Sequence, residues 1–180
     1  MKIGEAGHRF DPRDPNDLEQ MLILYRPGLI FFLQRLVGDP DTAEDLAIDS
    51  FLELMVHPLR YNGRSSVKTY LFMIGRSKAL NYLKRRARLS PDPIPEDLPD
   101  DTSLEEQYLA DERRRALHKA LHTLPEEMRA AIHLVYFEDQ TYRQTAQIMK
   151  KTEKQVDNLL FRAKNLLRAQ LGKDDLFEKP

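Results

Sequence analysis

The sequence predicts an all-α protein: two small helical domains joined by an acidic, proline-rich linker. Three observations carry that expectation. Apolar residues recur at three- and four-residue steps through most of the chain, the spacing of one buried helix face. Pro91, Pro93, Pro95 and Pro99 stand among acids between Leu89 and Ser103, a density that blocks helix and favours extended chain. Thr141 stands three residues before Gln144, and Thr152 three before Gln155, so two helix-opening capping boxes follow one another closely. The domains read as residues 14–88 and 104–172, with a mobile N-terminus over 1–13, the linker over 89–103 and a tail over 173–180.

Composition narrows the function classes. A chain of 180 residues has room for one medium domain or two small ones. Cysteine is absent, which excludes disulfides and thiolate metal sites and fits a reducing compartment. No apolar run approaches the roughly 20 residues of a membrane span. The opening MKIGEAGHRFDPRDP lacks the apolar core of a signal peptide. A cytoplasmic protein with no membrane insertion is expected. The net charge of −1 conceals a segregation. Arg76 to Arg88 holds six basic residues and no acidic one, Asp92 to Glu112 nine acidic and no basic, and Arg143 to Lys173 eight basic and two acidic. Two basic lobes on an acidic tether suit a protein that grips a polyanion at two places, although each run also solvates a helix face.

Asp14-Pro15 is an N-cap and N1 pair opening the first helix, which carries Leu18, Met21, Leu22 and Tyr25. Pro27-Gly28 is expected to kink or break it, and the apolar run from Leu29 to Val37 to stop at Gly38-Asp39-Pro40. Thr42 then caps a helix from about Ala43 to Val56 with Ala43, Leu46, Ala47, Ser50, Phe51 and Leu54 on its buried face. Asp45, Asp49 and Glu53 fall at four-residue steps on another face, edged by Ile48 and Leu52. Such an acidic-apolar ridge suits docking on a basic, partly apolar protein surface, or it is simply a solvated face. Nothing nearby supplies a nucleophile, ligand set or oxyanion site for catalysis.

His57 to Ser65 reads as a loop, and Ser65 or Ser66 as the cap of a helix reaching about Arg88 and burying Val67, Leu71 and Ile74. Tyr61, Tyr70, Phe72 and Tyr82 interleave with Arg64, Lys68, Arg76, Lys78 and Lys84. Rings among cations can stack unpaired bases beside a phosphate track, and some of these rings belong to the core.

The second domain opens at Ser103 with Glu106 as a capping box, and Leu109, Ala116, Leu117, Ala120, Leu121 and Leu124 form a buried face. His118 and His122 are four apart, but no third metal ligand accompanies them. Thr123-Leu-Pro-Glu126 starts the next helix, with Met128, Ala131, Ile132, Val135 and Tyr136 inward, and Phe137 to Gln140 turns the chain. Helices over about 142–149 and 153–171 then form a helix-turn-helix. In the second, Val156, Leu160, Ala163 and Leu167 make the buried stripe, while Lys154, Gln155, Asn158 and Arg162 lie off it as side chains suited to base edges and phosphates.

These residues resemble the sigma-70 family of RNA polymerase sigma factors, in the minimal extracytoplasmic-function form with only regions two and four. The resemblance covers about Leu18 to Leu171. AEDLAIDSFLEL looks like the family's helix that docks on the clamp helices of the polymerase's largest subunit. That implies core polymerase contacts at Asp45, Ile48, Asp49, Leu52 and Glu53. RYNGRS resembles the loop that captures a flipped base of the −10 element, and VKTYLFMIGRSKALNYLKRR the helix that binds and melts −10 DNA. That implies −10 contacts at Tyr61, Asn62, Arg64, Lys68, Arg76, Ser77 and Lys84. LHTLPEEMRAAIHLVYFEDQTYRQTAQIM with the helix after it resembles the −35 reader. Lys154, Gln155, Asn158 and Arg162 would then lie near base edges, and Arg143, Lys150 and Lys151 near phosphates.

The resemblance implies a factor with no catalytic step and no cofactor, whose partners are core RNA polymerase, promoter DNA and, in many members, an anti-sigma factor. The linker would thread toward the RNA exit path and mimic nucleic-acid charge. Lys150 stands where the family commonly has glycine, Ile48 where glutamine is common and Ser77 where asparagine is common. Gln155 and Asp157 replace a small residue and a lysine, so the family's −35 preference does not carry over. The alternative is a stand-alone helix-turn-helix regulator, which would normally dimerise to read paired half-sites and leaves the acidic ridge without a use.

Overall fold

The computed structural model describes residue 11 and residues 14–89, 116–117 and 119–171. The linker beyond Leu89, the Ser103–Glu106 box, Leu109, His118, most of the N-terminal segment and the tail lie outside them. Among the described residues all regular structure is helical, gathered in two compact units. No described helix is long and apolar enough to cross a membrane.

The first unit is built from α1 (Pro15–Val37), α2 (Pro40–Val56) and α3 (Val67–Leu89), with a short 3₁₀ turn at Pro58–Arg60. Asp14 caps α1 as expected, its carboxylate accepting the Asn16 N–H at 2.9 Å. Of the kink or break expected at Pro27-Gly28, the break does not occur: α1 runs through with Pro27 inside it. The proline withdraws the bond to the Ile23 carbonyl, on a turn where Ile23 is 69% exposed and water can replace the donor. Burying Leu29, Phe32 and Leu33 just beyond it is worth about 1.5–3 kcal/mol each, which outweighs the roughly 3 kcal/mol that an interior proline costs. The helix ends at Gly38, φ 77°, whose N–H donates to the Gln34 carbonyl at 2.8 Å.

Helix α2 begins earlier than expected. Asp39, not Thr42, is its N-cap, accepting the Thr42 N–H at 2.8 Å, and Pro40 takes N1. A proline there costs nothing because that N–H has no helical partner. The side-chain bond from Thr42, then its backbone bond and the Arg86 charge, hold the Asp39 carboxyl below its ordinary range. Ala43, Ala47, Ser50, Phe51 and Leu54 are buried and Leu46 is half-buried.

Ser66 caps α3, its Oγ accepting the Thr69 N–H at 3.0 Å. Val67 and Leu71 are buried as expected, whereas Ile74 is half-buried and Phe72, Gly75 and Ala79 complete the face. Phe72 meets Phe32 of α1 with ring centroids 5.4 Å apart. Gly75 sits where the three helices approach: a Cβ there would lie 2.9 Å from Leu29 Cδ1 and 3.5 Å from Ser50 Oγ.

The second unit holds a helical turn ending at 122, α4 (Glu126–Ile132), a π-helical turn (His133–Phe137), α5 (Tyr142–Met149) and α6 (Glu153–Leu171). Ala120, Leu121 and Leu124 are buried, but Ala116 is exposed and Leu117 half-buried, contrary to the expected face. Thr123 does not cap α4. Its hydroxyl donates to the Ala120 carbonyl at 2.8 Å and accepts from Gln170 Nε2 at 2.9 Å, and Pro125 stands at the N-cap with no side-chain bond. Met128, Ala131, Ile132 and Val135 are buried, with Tyr136 half-buried. The π turn also brings His133 and Leu134 inside, which a 3.6-residue period does not anticipate.

Candidate nucleic-acid and polymerase interfaces

The helix-turn-helix is fixed by its caps. Thr141 Oγ1 accepts the Gln144 N–H at 3.2 Å and Gln144 Oε1 accepts the Thr141 N–H at 2.8 Å. The same pair recurs at the head of α6: Thr152 Oγ1 takes the Gln155 N–H at 3.2 Å, and Gln155 Oε1 the Thr152 N–H at 2.9 Å. Between them Lys150 adopts the left-handed conformation, φ 55° and ψ 47°. Its N–H donates to the Gln147 carbonyl at 3.3 Å and the Lys151 N–H to the Ala146 carbonyl at 2.9 Å, the two bonds of a Schellman end.

Val156, Leu160, Ala163 and Leu167 are buried against the rest of the unit, the stripe expected. Lys154, Gln155, Asn158 and Arg162 are exposed together on α6, with Arg143 exposed on α5 and Lys150 in the turn. Lys151 differs: it is half-buried and its Nζ pairs with Glu127 Oε1 at 2.8 Å. Asp157 shares the exposed face. So does Phe161, 64% exposed, which a search for polar readers passed over. Its position off the buried stripe was the available signal.

In the first unit Tyr61 is half-buried. Its hydroxyl donates to the Ser65 carbonyl at 2.7 Å and its ring lies 5.4 Å from that of Tyr70. Asn62 Oδ1 accepts the Arg64 N–H at 3.1 Å, so its carboxamide shapes the loop, and Arg64 extends from an exposed position. Lys68 folds back over rings, its Nζ 5.8 Å from the centroid of Tyr25 and 5.9 Å from that of Phe72. Phe72 is wholly buried and leaves the set of exposed rings. Arg76 is only 8% exposed, with its Nε buried and unpartnered. It lies four residues after Phe72 and three before Ala79, on the packed face of α3. The exposed edge of α3 is instead Ser77, Asn81, Lys84, Arg85 and Arg88.

On α2, Asp45, Ile48, Asp49 and Leu52 are exposed as a continuous ridge. Glu53 is half-buried and forms an ion pair with Arg60 of the following turn. Met55, Val56 and Leu59 carry the apolar edge further, Leu59 being 80% exposed. Sequence reading stopped short of them because the acid spacing defined the ridge. Among the described residues no three His, Cys, Asp or Glu side chains gather as a metal site.

Comparison with known proteins decides the family. Residues 22–89 match the model described as Sigma-70 region 2, and residues 114–167 the model described as Sigma-70, region 4. The chain belongs to the sigma-70 family. Sigma factors of the extracytoplasmic-function type stand among its relatives, and its function is that of a factor directing RNA polymerase to initiate transcription. It is 28% identical over 165 residues to the RNA polymerase sigma-H factor of Pseudomonas aeruginosa, covering 86% of each chain. To the ECF RNA polymerase sigma factor SigM of Bacillus subtilis it is 26% identical over 155 residues, covering 84% of this chain and 93% of that one. A solved sigma factor, RpoE of Bartonella quintana in complex with the anti-sigma factor NepR, superposes with a TM-score of 0.70 at 26% identity. That match covers 88% of this chain and 99% of that one.

Proposed function

We propose that the two units are the two promoter grips of this sigma factor and that α2 is its polymerase dock. The observation that carries the reading is the exposed ridge of Asp45, Ile48, Asp49 and Leu52 on α2, a surface that neither the α3 edge nor α6 needs for reading DNA. An acidic, partly apolar ridge meets a basic, partly apolar groove on the polymerase, and charge complementarity sets its encounter rate and register. Glu53 contributes through its pair with Arg60, and Met55, Val56 and Leu59 extend the contact.

The −35 duplex lies against α6, with Lys154, Gln155, Asn158 and Arg162 at base edges and Arg143 and Lys150 at phosphates; Lys151 joins them by exchanging Glu127 for phosphate. The opened −10 strand lies along the Tyr61–Arg64 loop and the α3 edge, with Ser77 and Lys84 toward the strand. Lys68 braces the rings, and Arg76 supports the helix from inside. Opening is driven by capture: unstacking a base costs a few kcal/mol, and a pocket that binds only the unstacked base offsets that cost. The protein performs no bond chemistry in this scheme and works in the cytoplasm beside the polymerase. By likeness to the Bartonella protein, an anti-sigma factor is the expected inhibitor.

Asp49→Arg tests the dock. It reverses charge at an exposed position, so the helical circular-dichroism spectrum and thermal midpoint should hold. Affinity for core polymerase should fall at least tenfold, about 1.4 kcal/mol. Unchanged core affinity in a folded variant refutes the assignment of α2.

A further inference from the structure

We infer that Gln155 reads the −35 element purely as a hydrogen-bond donor. It would favour guanine, which offers two major-groove acceptors, reject cytosine, which offers none, and lack the adenine preference of a free glutamine. This rests on the assignment of α6 as the −35 helix.

The inference follows from the capping box. Carboxamide oxygen and nitrogen are interchangeable in shape, so the surroundings must decide which way a glutamine faces. At Gln155 they do. The Thr152 N–H, which can only donate, meets the side chain at 2.9 Å, and the atom there is Oε1. The reverse bond, from the Gln155 N–H to Thr152 Oγ1 at 3.2 Å, holds the same turn from the other side. Gln155 is nonetheless exposed, at the third residue of α6, in the part of a recognition helix that reaches base edges. Its oxygen is turned back on the chain and its Nε2, with two N–H groups, is the end left for a partner.

A free glutamine reads adenine by accepting from N6 while donating to N7, with the two amide atoms side by side along the base edge. Here that pose requires the oxygen to leave the box and uncover the Thr152 N–H. A donor alone is best satisfied by guanine, with O6 and N7, and can also use thymine O4 or adenine N7, the last beside the N6 amino group. Only cytosine, with N4 alone in the groove, meets it with a donor and no acceptor. The cap that starts the recognition helix thereby also sets its base preference.

The test is transcription by the full chain with core polymerase from a promoter library randomised across the −35 element, read by sequencing the transcribed templates. One position should favour guanine over cytosine by about tenfold on one strand, with thymine and adenine between. Gln155→Ala should flatten that position and leave the others. Gln155→Glu keeps an oxygen for the Thr152 N–H and turns a second oxygen outward, so the preference should reverse toward cytosine. Both variants should retain the parent's helical circular dichroism. Three results overturn the inference: adenine preferred at the Gln155-dependent position, no position responding to either variant, or all promoters weakened alike, which marks a phosphate contact. If the unaltered chain initiates but selects no −35 base at all, the assignment of α6 itself fails, and that outcome is distinct from the other three.

Discussion

Lys150 holds the tightest backbone position of the helix-turn-helix. At φ 55° its Cβ crowds the chain, where glycine would carry no such cost. Lys150→Gly should therefore raise the thermal stability of the C-terminal unit by about 0.5–1 kcal/mol. The same change removes the cation proposed to meet phosphate. Binding of −35 duplex should weaken, with the slope of log affinity against log salt shallower by about one. A variant that unfolds more easily contradicts the strain argument, and an unchanged salt slope contradicts the phosphate contact. Asp39 is the second residue with a definite prediction. Its folded carboxyl is held below the ordinary value of 3.8, chiefly by the side-chain bond with Thr42. A depressed carboxyl stabilises the fold fully above the unfolded value and loses that contribution as pH falls through the folded one. Asparagine caps a helix as well as aspartate does. Asp39→Asn should leave urea unfolding near pH 7 almost unchanged and lose less stability than the parent on going to pH 3. An equal acid loss in both proteins refutes the role of this carboxyl.

At the scale of elements, Gly75 sets how closely α3 can approach α1 and α2. With Leu29 Cδ1 only 2.9 Å from a notional Cβ, Gly75→Val overfills the centre of the three-helix unit. It should lower its stability by about 1–3 kcal/mol in thermal or urea unfolding. A variant as stable as the parent would mean that the helices spread at no cost. The same packing explains which elements the sequence revealed. The α6 stripe and both capping boxes were legible because spacing and local bonds alone determine them. The start of α2 was misread because Asp39-Pro40 resembles a stop, and only the carboxylate bond to Thr42 makes it a start. Continuity through Pro27 was not legible, since tertiary burial of residues distant in sequence decides it. The π turn at His133–Phe137 shifts the inward face by a residue, and no periodicity rule registers that. In the candidate sites, residue type pointed to Arg76 and Lys68 as DNA contacts. Packing turned Arg76 inward and laid Lys68 over Tyr25 and Phe72.

At the scale of the whole molecule, segregation of charge conveys more than the net of −1. The N-terminal unit carries an exposed acidic ridge on α2 and a basic edge on α3, and the C-terminal unit an exposed basic face on α6. A protein built as a free-standing repressor has use for only the last of these. A sigma factor needs all three, because it must hold the polymerase, hold the duplex and hold the opened strand. The central claim is most directly tested by run-off transcription with purified core polymerase on promoter templates, with and without the protein. Transcripts should start at one defined position only when the protein is present, and Asp49→Arg should abolish them. Tight binding of duplex promoter by the protein alone, with no start directed by core polymerase on any template, would contradict the account.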